Sequence, residues 1–331
     1  MGFEIKHIII FLLAVVPAVG WLYLFLRKHY EKKWLVVAVF IGGMVAAKLL
    51  LIYQQYWNST VNLIFFKVNP VDFRENINIL FGSRPFLALF LSFVGVGVME
   101  EFIKFWIMKL IGYRFFRSID DVIELSIISA LGFAFFENIM YFGAQWGKLG
   151  LWSFFAFALF RVTIVTMVHV LCSGILGYYF GMAFFASPML KIQYMKKGNH
   201  PILRFLQFLK KVFHVHRSQV YHDQMLTIGL LTAMLVHALY DFFLSIGTSI
   251  MNVPIHIPIM LLYFFGGYWY LNHLFREKTF NLNLGLVGTE VMPKEDFVKL
   301  LGEIQQIKEK MKTAQTDQPV PVPTQINSPA Q

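Results

Sequence analysis

The chain has 331 residues, of which 57% are hydrophobic and only 15% are charged. Soluble domains carry about 25% charged residues, so this composition excludes an ordinary soluble globular protein and indicates a multi-pass membrane protein. The net charge of +10 is explained by basic inside loops that face anionic lipid headgroups, and it does not call for a nucleic-acid partner.

Apolar segments long enough to cross the hydrocarbon core of a bilayer, which takes about 20 residues, occur at seven places. They are residues 8–26, 34–53, 85–111, 122–143, 161–186, 225–250 and 255–274. The shorter apolar stretch 151–160 either extends the fifth helix or lies at the membrane interface before it. The sequence therefore predicts an all-α fold, a polytopic membrane helix bundle with about seven transmembrane helices, in the cell membrane.

Lysine and arginine residues are distributed unevenly among the predicted loops. With the N-terminus outside, 21 of the 29 basic residues fall on the inside and five on the outside. Because cytoplasmic loops carry an excess of Lys and Arg, this distribution predicts an N-out, C-in orientation.

Three regions follow from these segments. Residues 1–84 hold two helices and an outside loop, and residues 85–275 form a transmembrane core. The core contains a basic inside insertion, 187–222, whose apolar and basic pattern predicts an amphipathic helix on the inner leaflet. Residues 276–331 form a soluble tail, with an amphipathic helix at about 293–312. The remainder is rich in Gln, Pro, Thr and Ser and is expected to be disordered.

The third apolar segment contains Glu100, Glu101 and Lys104. Ionisable groups at bilayer depth cost about 2.5–3.5 kcal/mol each on insertion scales, so they are expected to face protein or water and to have a role there. The spacings of three and four residues place the lysine beside both carboxylates on a helix. Lys104 can neutralise one carboxylate and leave the other available as a general acid or base. A structural ion pair between helices is the alternative.

Later segments contain further ionisable groups. Glu137 follows Phe133 by one helical turn, and it is either a site residue or a partner of a basic side chain on a neighbouring helix. His169 is either a buried core residue or a ligand. His237 and Asp241 lie one turn apart, so the aspartate can orient the imidazole, both can ligate a metal, or the two form a buried hydrogen-bonded pair.

These ionisable residues lie on four separate predicted spans of a chain that has few other charges in its apolar segments. They are Glu100, Glu101, Lys104, Glu137, His169, His237 and Asp241. The simplest explanation is that they converge on one polar chamber inside the helix bundle.

The order and spacing of these residues resemble the PrsW family of intramembrane proteases, relatives of the CAAX-processing and Abi membrane endopeptidases. The matching motifs are Glu100-Glu101-x-x-Lys104, Phe133-x-x-x-Glu137, Arg161…His169 followed by Gly174 and Gly177, and His237-x-x-x-Asp241. They cover residues 85–250, about half of the chain.

The resemblance implies a membrane-embedded protease that cuts within or beside the membrane. Its substrate would be a single-pass membrane protein, since anti-sigma factors are typical targets in the family. A prenyl-protein endopeptidase of the CAAX type is an alternative. The motif ending in Glu137 has a glutamate where the CAAX-processing relatives usually have a histidine, which favours the PrsW branch.

For such a protease we expect Glu100 or Glu101 to act as the general base on water, with Lys104 tuning the pair and Asp241 orienting His237. A second hypothesis concerns three of the remaining groups, His169, His237 and Glu137. They either hold Zn²⁺ or, without metal, polarise the scissile carbonyl and position the water.

Two rival classes remain at this point. Intramembrane Glu, His and Asp sets also form proton relays, so the pattern is compatible with a proton-coupled transporter. A non-catalytic membrane scaffold, whose polar residues only join helices, is the third possibility.

Overall fold

The computed structural model describes residues 5–28, 33–58, 85–187, 217–246, 249–250, 253–254 and 256–283, together with residues 302 and 306. These residues are almost entirely helical, which confirms the predicted all-α class. The predicted loop beyond Asn58, most of the basic insertion with its amphipathic helix, and the predicted tail helix apart from residues 302 and 306 lie outside the described residues.

The first half of the chain forms four long helices. They are α1 (Ile5–Lys28), α2 (Lys33–Asn58), α3 (Pro85–Gly112) and α4 (Ile119–Gln145). A 3₁₀ turn, Tyr113–Phe115, follows α3. Each of the first four predicted apolar segments falls within one of these helices.

The second half is interrupted by two π turns. The elements are α5 (Leu151–Phe160), a π turn (Arg161–Val165), α6 (Thr166–Phe185), α7 (Arg217–Ile246), α8 (His256–Leu261), a second π turn (Leu262–Gly266) and α9 (Gly267–Asn283). The apolar stretch 151–160 therefore extends the fifth helix, which was one of the two predicted alternatives. The helix predicted to end at residue 250 ends at Ile246, because a two-residue strand β1 (Ser249–Ile250) pairs antiparallel with β2 (Val253–Pro254).

Among the described residues, three stretches are long and apolar enough to cross a membrane. They are Lys33–Ile52, Leu151–Phe185 and Tyr221–Ser245. The number of seven spans and the N-out, C-in orientation remain predictions.

The start of α4 is specified locally. Ser118 precedes the helix in an extended conformation, and its Oγ accepts a hydrogen bond from the backbone N–H of Asp121 at 3.2 Å. Asp121 Oδ2 accepts in turn from the backbone N–H of Arg117 at 2.9 Å. The first bond satisfies an N–H group that a helix start leaves unpaired, the second holds the residue before the N-cap, and the aspartates of the first turn also complement the helix dipole.

Helix α6 lies at the centre of the bundle. It packs mainly against α4 and α7, and almost every residue from Thr166 to Phe185 is buried. A helix that is apolar on all sides is expected in such an interior position. Helix α3 packs against α7 and α2, and α2 packs in turn against α4.

Two glycines allow the close helix crossings that bring the polar residues together. A Cβ atom at Gly132 of α4 would collide with the backbone carbonyl oxygen of Phe40 of α2. A Cβ atom at Gly97 of α3 would lie 2.8 Å from the carbonyl oxygen of Met234 of α7. The second crossing lies one turn from Glu100 and Glu101 on α3 and from His237 on α7. Small residues at such crossings are a general feature of membrane helix packing.

Candidate active site

Lys104 occupies the middle of a buried polar cluster. Its side chain is 1% exposed, and its Nζ lies 2.8 Å from Glu101 Oε1, 2.8 Å from His169 Nδ1 and 3.5 Å from Glu100 Oε2. An ammonium group only donates hydrogen bonds, so His169 Nδ1 accepts and carries no proton in this arrangement. The ammonium also lies 4.3 Å from the centroid of the Phe133 ring.

Glu101 is completely buried and well paired. Its Oε1 accepts from Lys104 and lies 2.8 Å from His237 Nδ1, and its Oε2 lies 3.5 Å from Ser173 Oγ. Because an ionised carboxylate only accepts hydrogen bonds, the Nδ1–H of His237 is the donor. A buried charge is tolerated when it is paired in this way, so Glu101 joins α3 to α6 and α7.

Glu100 differs from its neighbour. Its Oε2 is buried and has no hydrogen-bond partner. Two nitrogen atoms, Lys104 Nζ and His237 Nε2, each lie 3.5 Å away. Buried polar atoms are usually satisfied, so an orphaned carboxylate oxygen in this position indicates an atom that receives a ligand.

His237 presents one free nitrogen to this oxygen. With Nδ1–H donating to Glu101, the Nε2 atom of the neutral ring is unprotonated. It lies 3.5 Å from Glu100 Oε2 and 3.5 Å from Asp241 Oδ2. The His169 and His237 rings meet edge to face, with centroids 5.1 Å apart.

Glu137 connects His169 to a second cation. Its Oε2 lies 3.2 Å from His169 Nε2 and 3.2 Å from Arg161 Nη2. With Nδ1 accepting from Lys104, the Nε2–H of the neutral His169 ring donates to Glu137. The His169 ring is therefore held at both nitrogens.

The cluster is more accessible on one side. The side chains of Glu137 and Asp241 are 19% and 22% exposed, whereas those of Lys104, His169 and His237 are at most 4% exposed. The approach to the buried groups therefore lies on the side of Glu137 and Asp241.

The structure brings all seven predicted site residues into this one cluster, through four helices. Their catalytic roles remain predictions. Four further residues take part, namely Asn138, Arg161, Thr166 and Ser173. Arg161 belongs to a recognised motif, Asn138 follows Glu137, and Ser173 lies one turn after His169. The three uncharged residues gave no signal of their own, because neutral polar groups are common in membrane helices.

Within the part of the chain that the structure describes, two groups of potential metal-ligating side chains have ligand atoms within 4.8 Å of one another. One comprises Glu100, His169 and His237, and the other comprises Glu101, Cys172 and His237. In the second group the Glu101 carboxylate is already satisfied by Lys104 and His237. The first group has two imidazoles and one carboxylate, that of Glu100 with its orphaned oxygen, a donor set that suits Zn²⁺.

The carboxylate in this first group differs from the predicted one. Glu137 was expected to complete a His169, His237 and Glu137 ligand set, but its Oε2 already contacts Arg161 and His169. That prediction is untested. For the Glu100 set, His169 would have to release either Lys104 or Glu137 to bind a metal.

The fold and the cluster define a class: a helical bundle with membrane-type helices around a buried glutamate, histidine and lysine centre. The sequence profile of the family described as PrsW family intramembrane metalloprotease matches residues 31–200, about half of the chain. The chain belongs to that family, which confirms the resemblance noted from the motifs. The matched region includes the site residues from Glu100 to His169, whereas His237 and Asp241 lie beyond it.

A curated relative gives the same result. Over 98 residues the chain is 35% identical to Protease PrsW of Geobacillus kaustophilus (strain HTA426), which covers 29% of this chain and 40% of that protein. The chain therefore spans less than half the length of this relative. No solved structure matches the chain.

Proposed function

We propose that the protein is an intramembrane endopeptidase that hydrolyses peptide bonds of single-pass, membrane-anchored substrates. The observation that supports this most directly is the orphaned Oε2 of Glu100, which lies 3.5 Å from an imidazole nitrogen in a buried cluster. Peptide hydrolysis needs an activated water, a group that stabilises the oxyanion and a proton for the leaving amine.

Glu100 is the reacting carboxylate in this proposal. Its free oxygen accepts a proton from a water molecule that approaches from the side of Asp241, and it returns that proton to the leaving amine. Glu101 is unsuited to this step, because both its oxygens already contact donors from Lys104, His237 and Ser173. Its role is to hold the His237 ring.

The Lys104 ammonium stabilises negative charge near the reacting carboxylate. Lys104 Nζ lies 3.5 Å from Glu100 Oε2, in a site from which most water is excluded. Fixed charges in such a site act more strongly than they would in water. His237, oriented by its hydrogen bond to Glu101, lies beside the same oxygen, and its unprotonated Nε2 positions the water by accepting a hydrogen bond from it.

Metal assistance belongs to the same proposal. Zn²⁺ would be held by Glu100, His169 and His237, and it would supply Lewis-acid polarisation of the scissile carbonyl. With the metal bound, Glu100 would be a ligand and not the base, and the metal would supply the activation of the water. Loss of Glu100 would remove activity in either case, so its variants test the site and metal analysis distinguishes the two roles.

The experiment uses the full-length protein in liposomes, with a library of single transmembrane segments placed between two soluble reporter domains. Wild-type protein is expected to separate the two reporters, and Glu100→Gln and His237→Gln are expected to leave them joined. Asp223→Asn removes an exposed carboxylate of α7 and is expected to behave as wild type.

Other outcomes would contradict the proposal. Proton-driven uptake of a solute into the vesicles, without cleavage of any library member, would indicate the transporter class. Cleavage restricted to prenylated C-terminal peptides would indicate a CAAX-type endopeptidase. Equal cleavage by wild type and Glu100→Gln would contradict the assignment of this cluster as the active site.

A further inference from the structure

The π turn at Arg161–Val165 changes which helix face Arg161 occupies. On an uninterrupted α-helix, the eight positions from Arg161 to His169 would place the two side chains about 80° apart. A π turn contains one extra residue, so the separation between Arg161 and His169 corresponds to seven α-helical positions. The angle between the two side chains around the helix axis therefore falls to about 20°. Both side chains consequently point toward α4.

The two side chains meet at one atom. Glu137 Oε2 lies 3.2 Å from Arg161 Nη2 and 3.2 Å from His169 Nε2. The arginine is in turn fixed by two further residues of α4. Its Nε donates to Asn138 Oδ1 at 3.0 Å, and its guanidinium carbon lies 3.6 Å from the centroid of the Tyr141 ring.

Side chains also hold the π turn itself. The carbonyl oxygen of Arg161 accepts from both the backbone N–H and the Oγ1 of Thr166, the latter at 3.1 Å. Asn138 Nδ2 donates to the same Thr166 Oγ1 at 3.4 Å. Asn138 therefore bonds to both the guanidinium and the turn that carries it.

We propose that Arg161 is a positioning residue that holds Glu137 against the Nε2–H of His169 and thereby fixes the orientation of that ring. The inference deepens the proposed protease function and rests on it. Without the guanidinium, Glu137 would lose its charged partner and could turn toward the more exposed side of the cluster. His169 would then keep Lys104 at Nδ1 but lose its second restraint.

The first test compares Arg161→Gln and Arg161→Lys with Arg114→Gln, an exposed arginine in the turn after α3. Loss of a hydrogen-bonding partner that orients a site histidine typically costs about 10–100-fold in activity. We expect Arg161→Gln to lower kcat by that factor with little change in KM. Arg161→Lys should have an intermediate kcat, because lysine keeps the positive charge but lacks the planar set of N–H donors of the guanidinium. Arg114→Gln should behave as wild type.

A second measurement does not depend on proteolysis. In protein labelled with ¹⁵N-histidine, the Nε2–H of His169 should give a protected NMR signal, identified by its absence in His169→Gln. This signal should broaden or vanish in Arg161→Gln and persist in Arg161→Lys and Arg114→Gln. Persistence of the signal in Arg161→Gln would overturn the inference even if no substrate is cleaved. An Arg161→Gln protein with unchanged kcat and only a lower Tm would also overturn it, because Arg161 would then be no more than a structural ion-pair partner.

Helix register provides a third test. Deleting Thr163, an exposed residue of the π turn, would convert it to an α turn and leave Arg161 on the same face as His169. Inserting one alanine after Thr163 would instead rotate Arg161 away by about 100°. We expect the deletion to keep the His169 signal and the insertion to lose it. Loss of the signal in the deletion variant would contradict the geometric argument.

Discussion

The Nδ1–H of His237 donates to Glu101 Oε1 over 2.8 Å and connects residues that are 136 positions apart in the chain. This bond determines which nitrogen of His237 is free. Since Nδ1 is committed to Glu101, Nε2 is directed toward the orphaned oxygen of Glu100 and toward Asp241. Two adjacent glutamates in one helix therefore have different surroundings, one hydrogen-bonded to the imidazole and one with an oxygen that has no hydrogen-bond partner.

Replacing Glu101 with glutamine should impair catalysis through His237. The neutral amide is a weaker acceptor than the carboxylate, so the ring loses the interaction that fixes its orientation. A fall in kcat of about 10–100-fold is expected, with normal membrane insertion. Cleavage rate per inserted molecule is the measurement, with Asp223→Asn as the control. Wild-type activity in Glu101→Gln would show that the bond to His237 has no catalytic consequence.

Replacing Lys104 with methionine should destabilise the protein strongly. The substitution preserves most of the side-chain volume but leaves Glu101 buried without its cation. Breaking a buried pair by removing one partner costs about 3–5 kcal/mol. The free energy of unfolding, measured by SDS titration in mild detergent, should fall by that amount. Lys148→Met, at an exposed position, should leave the free energy of unfolding nearly unchanged. Equal free energies of unfolding for the two variants would contradict a buried pair between Lys104 and Glu101.

Two glycines of α4 offer a matched comparison of packing. Gly132→Ala places a methyl group against the backbone of α2, and overpacking of this kind costs about 1–3 kcal/mol. A methyl group added at Gly143 would meet no atom within 4 Å, so Gly143→Ala should be neutral or stabilising by up to about 1 kcal/mol. The same titration measures both. A neutral Gly132→Ala would contradict the close crossing of α2 and α4.

Metal content distinguishes the two candidate carboxylate ligands. If Zn²⁺ is held by Glu100, His169 and His237, wild-type protein should retain the ion after dialysis, and Glu100→Gln should lose it. Glu137→Gln should retain more metal than Glu100→Gln, because Glu137 would act on His169 from outside the ligand set. Elemental analysis of the purified variants gives the result. Loss of metal in Glu137→Gln alone would favour the ligand set predicted from the sequence.

Much of the helical architecture could be predicted because an apolar run of about 20 residues has few alternatives to a membrane helix. The charged site residues could be predicted for the complementary reason, since charges such as Glu100 and Glu101 are rare in such runs. Periodicity and spacing then placed Lys104 beside both glutamates, which the distances confirm.

Other features could not be predicted from the sequence, for physical reasons. The extra residue in the Arg161–Val165 turn does not alter hydropathy, so the shared face of Arg161 and His169 could not be derived from spacing. Glu100 and Glu101 were equivalent as candidate bases, because only the tertiary contacts show which oxygen lacks a donor. The grouping of Glu100 with the two imidazoles as a possible ligand set was likewise decided by packing of α3 against α7, which no local pattern encodes.

The most direct measurement is the single-turnover cleavage rate of Glu100→Gln in liposomes, compared with wild type at equal amounts of inserted, folded protein. General acid–base catalysis contributes about 10²–10⁴-fold, so the rate should fall by at least that factor. A Glu100→Gln protein that cleaves the same substrate at the wild-type rate would contradict the assignment of Glu100 as the reacting carboxylate.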